Sequence, residues 1–166
     1  MTAAEFAENA VRERRPSPSI TISPMEVLKR YRVVAVVGAS RNPEKDAHTV
    51  PEYLKEHGFT VIPINPGVRE ILGEKTYPSL FDLPEGLAKE IQVVDVFRPS
   101  EELPRVAEQV VVFSRRFGVS PVFWAQLGLE SEEAKEILSR DGIRYVMNAC
   151  MRATYKVGEV NHDLAW

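Results

Sequence analysis

Five short apolar runs recur along the chain: VVAVV (33–37), FTVIPI (59–64), QVVDVF (92–97), PVFWA (121–125) and IRYVM (143–147). Each is rich in β-branched or aromatic residues and too short for a helix. Runs that are apolar at successive positions suit strands buried on both faces, as in a parallel sheet. Helical signals fill the gaps. Ser23 as N-cap, Pro24 at the first position and Glu26 at the third open a short helix through about Tyr31. Residues 46–57 set Val50, Tyr53 and Leu54 on one side, with Pro51 near the first turn or kinking it and Gly58 as the stop. Ser100-Glu101-Glu102 starts a helix whose apolar positions run from Leu103 to Phe117, closed by Gly118. Ser131-Glu132-Glu133 caps another, ending before Gly142. Strand and helix alternate with short connections, and right-handed crossovers turn that order into a sheet covered on both faces. The expected fold is a doubly wound, Rossmann-like α/β domain with a five-stranded parallel sheet.

Three segments follow. Residues 1–22 read as an N-terminal arm, in which RRPSPS interrupts a short amphipathic stretch. Residues 23–155 form the α/β domain, and residues 156–166 read as a C-terminal tail. Within the domain, residues 66–91 read as mostly irregular, with short helical turns around Val68–Leu72 and Leu80–Leu83.

The net charge of −3 gives no support to binding nucleic acid or an anionic membrane surface. No apolar stretch reaches the roughly 18 residues of a membrane span. A single cysteine, Cys150, allows no internal disulfide, so a reducing cytoplasmic setting is expected. One cysteine and three scattered histidines offer no usual zinc spacing, so no metal is expected.

In doubly wound sheets ligands bind beyond the carboxyl ends of the strands. Those ends read Gly38-Ala39-Ser40-Arg41-Asn42, Asn65-Pro66-Gly67, Arg98-Pro99-Ser100, Gln126-Leu127-Gly128 and Asn148-Ala149-Cys150. All five are polar or small, which suggests one polar crevice. The first is the most informative. Gly38 permits a tight turn and close backbone approach. The following helix N-terminus offers amides and partial positive charge to a phosphate. Ser40 adds a hydroxyl, and Arg41 and Lys45 add cationic donors. Yet G-A-S-R-N-P is not the G-x-G-x-x-G of dinucleotide enzymes, and the second strand ends in Asn65-Pro66, not in the acid that holds a ribose. The Walker lysine motif is also absent. Ordinary NAD use is disfavoured.

The ordered set VVGAS, YLKEHGFTVIPINP, EILGEKTYPSL, VDVFRPSEE, VFWAQLG and YVMNAC resembles the small stand-alone coenzyme A-binding proteins. Their fold is that of the coenzyme A-binding domain of the succinyl-CoA synthetase α subunit. The resemblance spans roughly residues 24–152. It implies coenzyme A, free or acylated, lying across the strand ends. Gly38-Ala39-Ser40 would hold the diphosphate, with Lys45 near a phosphate. Asn65-Pro66 would flank the adenosine, and Phe97-Arg98 would line the cleft beside it. Trp124, Gln126 and Cys150 would face the pantetheine side. Asn148-Ala149 stands where the family more often has aspartate-arginine, and Ala125 where it often has a larger residue.

Nothing here points to a reaction. His48, His57 and His162 lie in no recognisable phospho-acceptor loop, and there is no G-x-S-x-G elbow. No catalytic residue is expected, and the chain reads as more of a binder than an enzyme. It would serve as a carrier, sensor or partner subunit, with a protein partner or homodimer possible. Cys150 reads either as an inert buried thiol or as a group that exchanges disulfide with the pantetheine thiol. The competing reading is an oxidoreductase or redox sensor that binds NAD(H) through an atypical loop.

Overall fold

A computed structural model describes residues 22–164. Helix α1 (Pro24–Arg30) leads into β1 (Val33–Val37), α2 (Asp46–Glu56) and β2 (Thr60–Ile64). A hairpin of β3 (Glu70–Ile71) and β4 (Glu74–Lys75), then a short helix α3 (Glu85–Ala88), precede β5 (Val93–Val96). Then come α4 (Leu103–Phe117), β6 (Val122–Ala125), α5 (Glu132–Arg140), β7 (Tyr145–Val146) and α6 (Met151–Leu164).

Five strands pair in parallel in the order β2-β1-β5-β6-β7. The five apolar runs are these strands: VVAVV coincides with β1, and the other four are trimmed by one to three residues. The doubly wound α/β fold expected from them is therefore present. Pleating sorts their side chains between two cores. Val34, Val36 and Trp124 face one side, where they meet Val27 of α1, Leu54 of α2 and Met151 of α6. Ala35, Val94 and Phe123 face the other, where they meet Ala88 of α3, Val110 of α4 and Leu138 of α5. The chain starts mid-sheet at β1, runs outward to β2, then returns to the far side of β1 through β5. The order therefore reverses between β1 and β5, the point where such sheets open a crevice.

The capping signals hold. Ser23 Oγ accepts the Glu26 N–H at 3.2 Å, and Ser131 Oγ accepts the Ala134 N–H at 3.1 Å. Gly118 ends α4 at φ +65°. Pro51 falls inside α2. The turn expected near Leu80 is a 3₁₀ helix at Leu80–Asp82, capped by Ser79 Oγ.

Two local expectations need correction. The helical turn expected at Val68–Leu72 is instead the β3–β4 hairpin. Its two-residue turn, Leu72-Gly73, has φ +56° and +75°, the paired left-handed geometry that matches strand twist. Lys55 fixes it from outside, donating to the Leu72 carbonyl at 2.6 Å and pairing with Glu74 at 3.1 Å. Residues expected to form a tail lie instead in α6, which packs against α1 and α2. Tyr155 anchors it, its ring 5.6 Å edge-on from that of Phe59. At the other end, Ile22 is already buried in the core, and the rest of the expected N-terminal arm lies outside the described residues.

Candidate functional site

The β1–α2 loop is folded onto itself before any ligand is considered. Gly38 sits at φ +86°, and a Cβ there would stand 2.7 Å from the Phe97 carbonyl oxygen. The glycine is thus required by approach to its own chain at the end of β5, as well as by its left-handed backbone. Pro51 explains the next step. It has no amide hydrogen, so the Ala47 carbonyl four residues earlier loses its helical partner. The Ser40 N–H takes that place, donating to Ala47 O at 3.1 Å. His48 Nδ1 meets the Ser40 carbonyl at 2.7 Å. Ser40 Oγ accepts the Asn42 N–H at 3.1 Å, which leaves its own hydroxyl hydrogen to donate. The proline of α2 and the loop before it are one unit.

Asn65 ties this loop to β2. Its Nδ2 donates to Ala39 O and its Oδ1 accepts the Gly67 N–H, both at 2.8 Å. Pro66 follows directly. Helix α2 has no side-chain cap; Lys45 occupies its N-cap position. Arg41 and Lys45 are exposed, but so are Glu44 and Asp46 between and beside them. The formal charge of the loop therefore cancels.

A cavity of about 390 Å³ opens beside the switch point. It gathers four of the expected residues, Gly38, Asn65, Pro66 and Arg98, from the ends of three strands. Helix α4 and the turn before it supply a wall that the sequence reading missed: Glu102, Arg105 and Gln109. Their spacing of three to four residues sets them on one helical face, and that periodicity was the available signal. Arg98 is held in a two-pronged pair with Glu102, Nε to Oε2 at 2.8 Å and Nη2 to Oε1 at 3.0 Å. Ser79 closes the far side, its hydroxyl donating to Asp82 Oδ2 at 2.7 Å.

The remaining expected residues do not line this cavity. Phe97 is half-buried against the core beneath α2, and its carbonyl faces Gly38. Trp124 is fully buried, its indole N–H donating to the Ala149 carbonyl at 2.8 Å, so it pins the β7–α6 loop to the sheet. Gln126 is buried too. Its Nε2 donates to Asp95 Oδ1 at 2.5 Å, and its Oε1 accepts the Met151 N–H at 3.3 Å. Cys150 immediately precedes α6 and is half-buried at the edge of the core.

Asp95 also escaped the sequence reading, although it is the one acid in its strand. It is completely buried, and its Oδ2 has no hydrogen-bond partner among the described residues. Burial pushes its carboxyl up to about 7, against the opposing pull of hydrogen bonds from Gln126 and the Val96 backbone. No group of three or more His, Cys, Asp or Glu among the described residues could hold a metal.

The sequence model of the CoA binding domain matches residues 32–156. The chain belongs to this family. A curated relative is the uncharacterized protein YneT of Bacillus subtilis, 39% identical over 132 residues that cover 80% of this chain and 91% of YneT. The ADP-forming acetate–CoA ligase I of Archaeoglobus fulgidus is 32% identical over 149 residues, covering 85% of this chain. That match spans 20% of the ligase, so the CoA-binding domain corresponds to one segment of a much longer enzyme. Among solved structures, a hypothetical protein from Pyrococcus horikoshii superposes with a TM-score of 0.71 at 35% identity, covering 82% of this chain and 92% of that one. No helix among the described residues is long and apolar enough to cross a membrane.

Proposed function

We propose that the chain binds coenzyme A or an acyl-CoA at the carboxyl ends of β1, β2 and β5 and performs no reaction by itself. One observation carries this reading: Gly38, Asn65, Pro66 and Arg98, four residues expected to contact the nucleotide, meet in one cavity beside the switch point. The diphosphate lies against the Gly38–Ser40 turn and the start of α2, where the Ser40 hydroxyl, Arg41 and Lys45 supply donors. The adenosine enters the cavity beside Asn65-Pro66 and Arg98. A volume of about 390 Å³ lies in the range of small-molecule sites, near its lower end. The pantetheine arm then leaves toward the start of α6 and Cys150. The chain serves as a carrier, sensor or partner subunit in a reducing cytoplasmic setting.

Calorimetry with coenzyme A, acetyl-CoA, NADH and NADPH tests this reading. Saturable binding of coenzyme A or acetyl-CoA with none of NADH is the expected result. Tight NADH binding with none of coenzyme A would overturn it in favour of the nicotinamide alternative.

A further inference from the structure

The cavity wall on α4 carries a charge balance that the strand-end loops do not. Arg98 and Glu102 neutralise each other through two hydrogen bonds. Arg105, one turn further along α4, has no acidic partner within salt-bridge reach among the described residues, and it lines the same cavity. Gln109, one more turn on, adds an amide that can donate. The β1–α2 loop, by contrast, balances Arg41 and Lys45 with Glu44 and Asp46. Of the loop and the cavity, it is the cavity that carries surplus positive charge, away from the turn proposed for the diphosphate.

We infer that Arg105 is a specificity residue that recognises a phosphate monoester carried on the ribose, with Glu102 setting the strength of that preference. This rests on the coenzyme A reading above and sharpens it. Coenzyme A and dephospho-coenzyme A differ by that one phosphate. A dianionic group entering the cavity meets the guanidinium of Arg105 and the amide of Gln109. Its attraction is moderated by the carboxylate of Glu102, itself partly neutralised by Arg98. Arginine suits this task because its planar fork can meet two phosphate oxygens at once. Glu102 also explains why the charge is held in check. A carboxylate beside the ribose favours free hydroxyls, and the Arg98 pair restrains it from opposing a phosphate there.

The test is the ratio of affinities for coenzyme A and dephospho-coenzyme A, measured by calorimetry at fixed low salt. The full chain and the variants Arg105→Gln and Glu102→Gln are compared. Arg105 is exposed, so its replacement leaves the fold intact, which circular dichroism and thermal melting verify. The preference for coenzyme A is expected to fall roughly tenfold in Arg105→Gln and to rise several-fold in Glu102→Gln. Raised salt should shrink the preference of the unaltered chain. An unchanged ratio in both variants overturns the assignment while leaving coenzyme A binding in place. Binding of neither ligand by the unaltered chain overturns the coenzyme A reading and this inference with it.

Discussion

Replacing Asp95 with asparagine is expected to make the protein's stability respond differently to pH. Asp95 is fully buried, with one oxygen bonded to Gln126 and the other bare. Its carboxyl titrates near 7 when folded, against 3.8 as the ordinary value. Below about pH 4 the group is protonated in both folded and unfolded chains and adds no pH dependence. Between about pH 4 and pH 7 the unfolded chain releases its proton while the folded chain keeps it. Stability then falls by about 1.4 kcal/mol per pH unit. Above about pH 7 both forms are ionised, and a penalty of about 4 kcal/mol stands in full. Asparagine keeps the acceptor for Gln126 and cannot ionise. Its unpaired amide costs roughly 1–3 kcal/mol, but equally at every pH. Urea unfolding of both proteins from pH 5 to pH 8 separates the two effects. The variant's stability relative to the unaltered chain is expected to improve by about 3 kcal/mol over that range. A difference that stays constant with pH would show that Asp95 ionises in the fold as easily as out of it, and the desolvation argument would fail.

Two further predictions concern the loops. Pro51→Ala restores an amide that competes for the Ala47 carbonyl, so hydrogen exchange at the Ser40 amide is expected to speed up at least several-fold. Unchanged protection of Ser40 would mean that the proline does not shape the loop. Incubation with oxidised coenzyme A is expected to give a single adduct on Cys150: its thiolate attacks one sulfur, and the other half leaves as the free thiol. Mass spectrometry should show that adduct lost in Cys150→Ser; its absence from the unaltered chain would remove Cys150 from the pantetheine end.

Much of the fold was legible because two-sided burial writes itself as unbroken apolar runs. VVAVV and PVFWA could hardly be anything but central strands, and serine caps marked α1 and α5. The hairpin was hidden because Leu72 adopts a left-handed conformation that glycine or asparagine would have advertised. Helix α6 was hidden because its stabilising contacts, such as Tyr155 on Phe59, come from residues about a hundred positions away in sequence. At the site, Gly38 and Asn65-Pro66 were readable from their positions after strands. Trp124 and Gln126 show the limit of that rule. Proximity to a strand end does not say whether a side chain turns toward the crevice or into the fold, and both turn inward, onto the β7–α6 junction. Periodicity sets Glu102, Arg105 and Gln109 on one helical face, but it takes the crossover from β5 to bring that face to the ends of β1 and β2.

Helices α1 and α6 lie side by side, and Gly158 nears Met25 so closely that a Cβ there would stand 2.7 Å from the methionine sulfur. The first and last described elements are therefore neighbours on one face of the sheet. A polypeptide can enter and leave this unit almost at a single doorway. The unit is thus suited to being spliced whole into a larger protein, or to having its ends rejoined and reopened elsewhere, without pulling apart the strand ends on which binding depends.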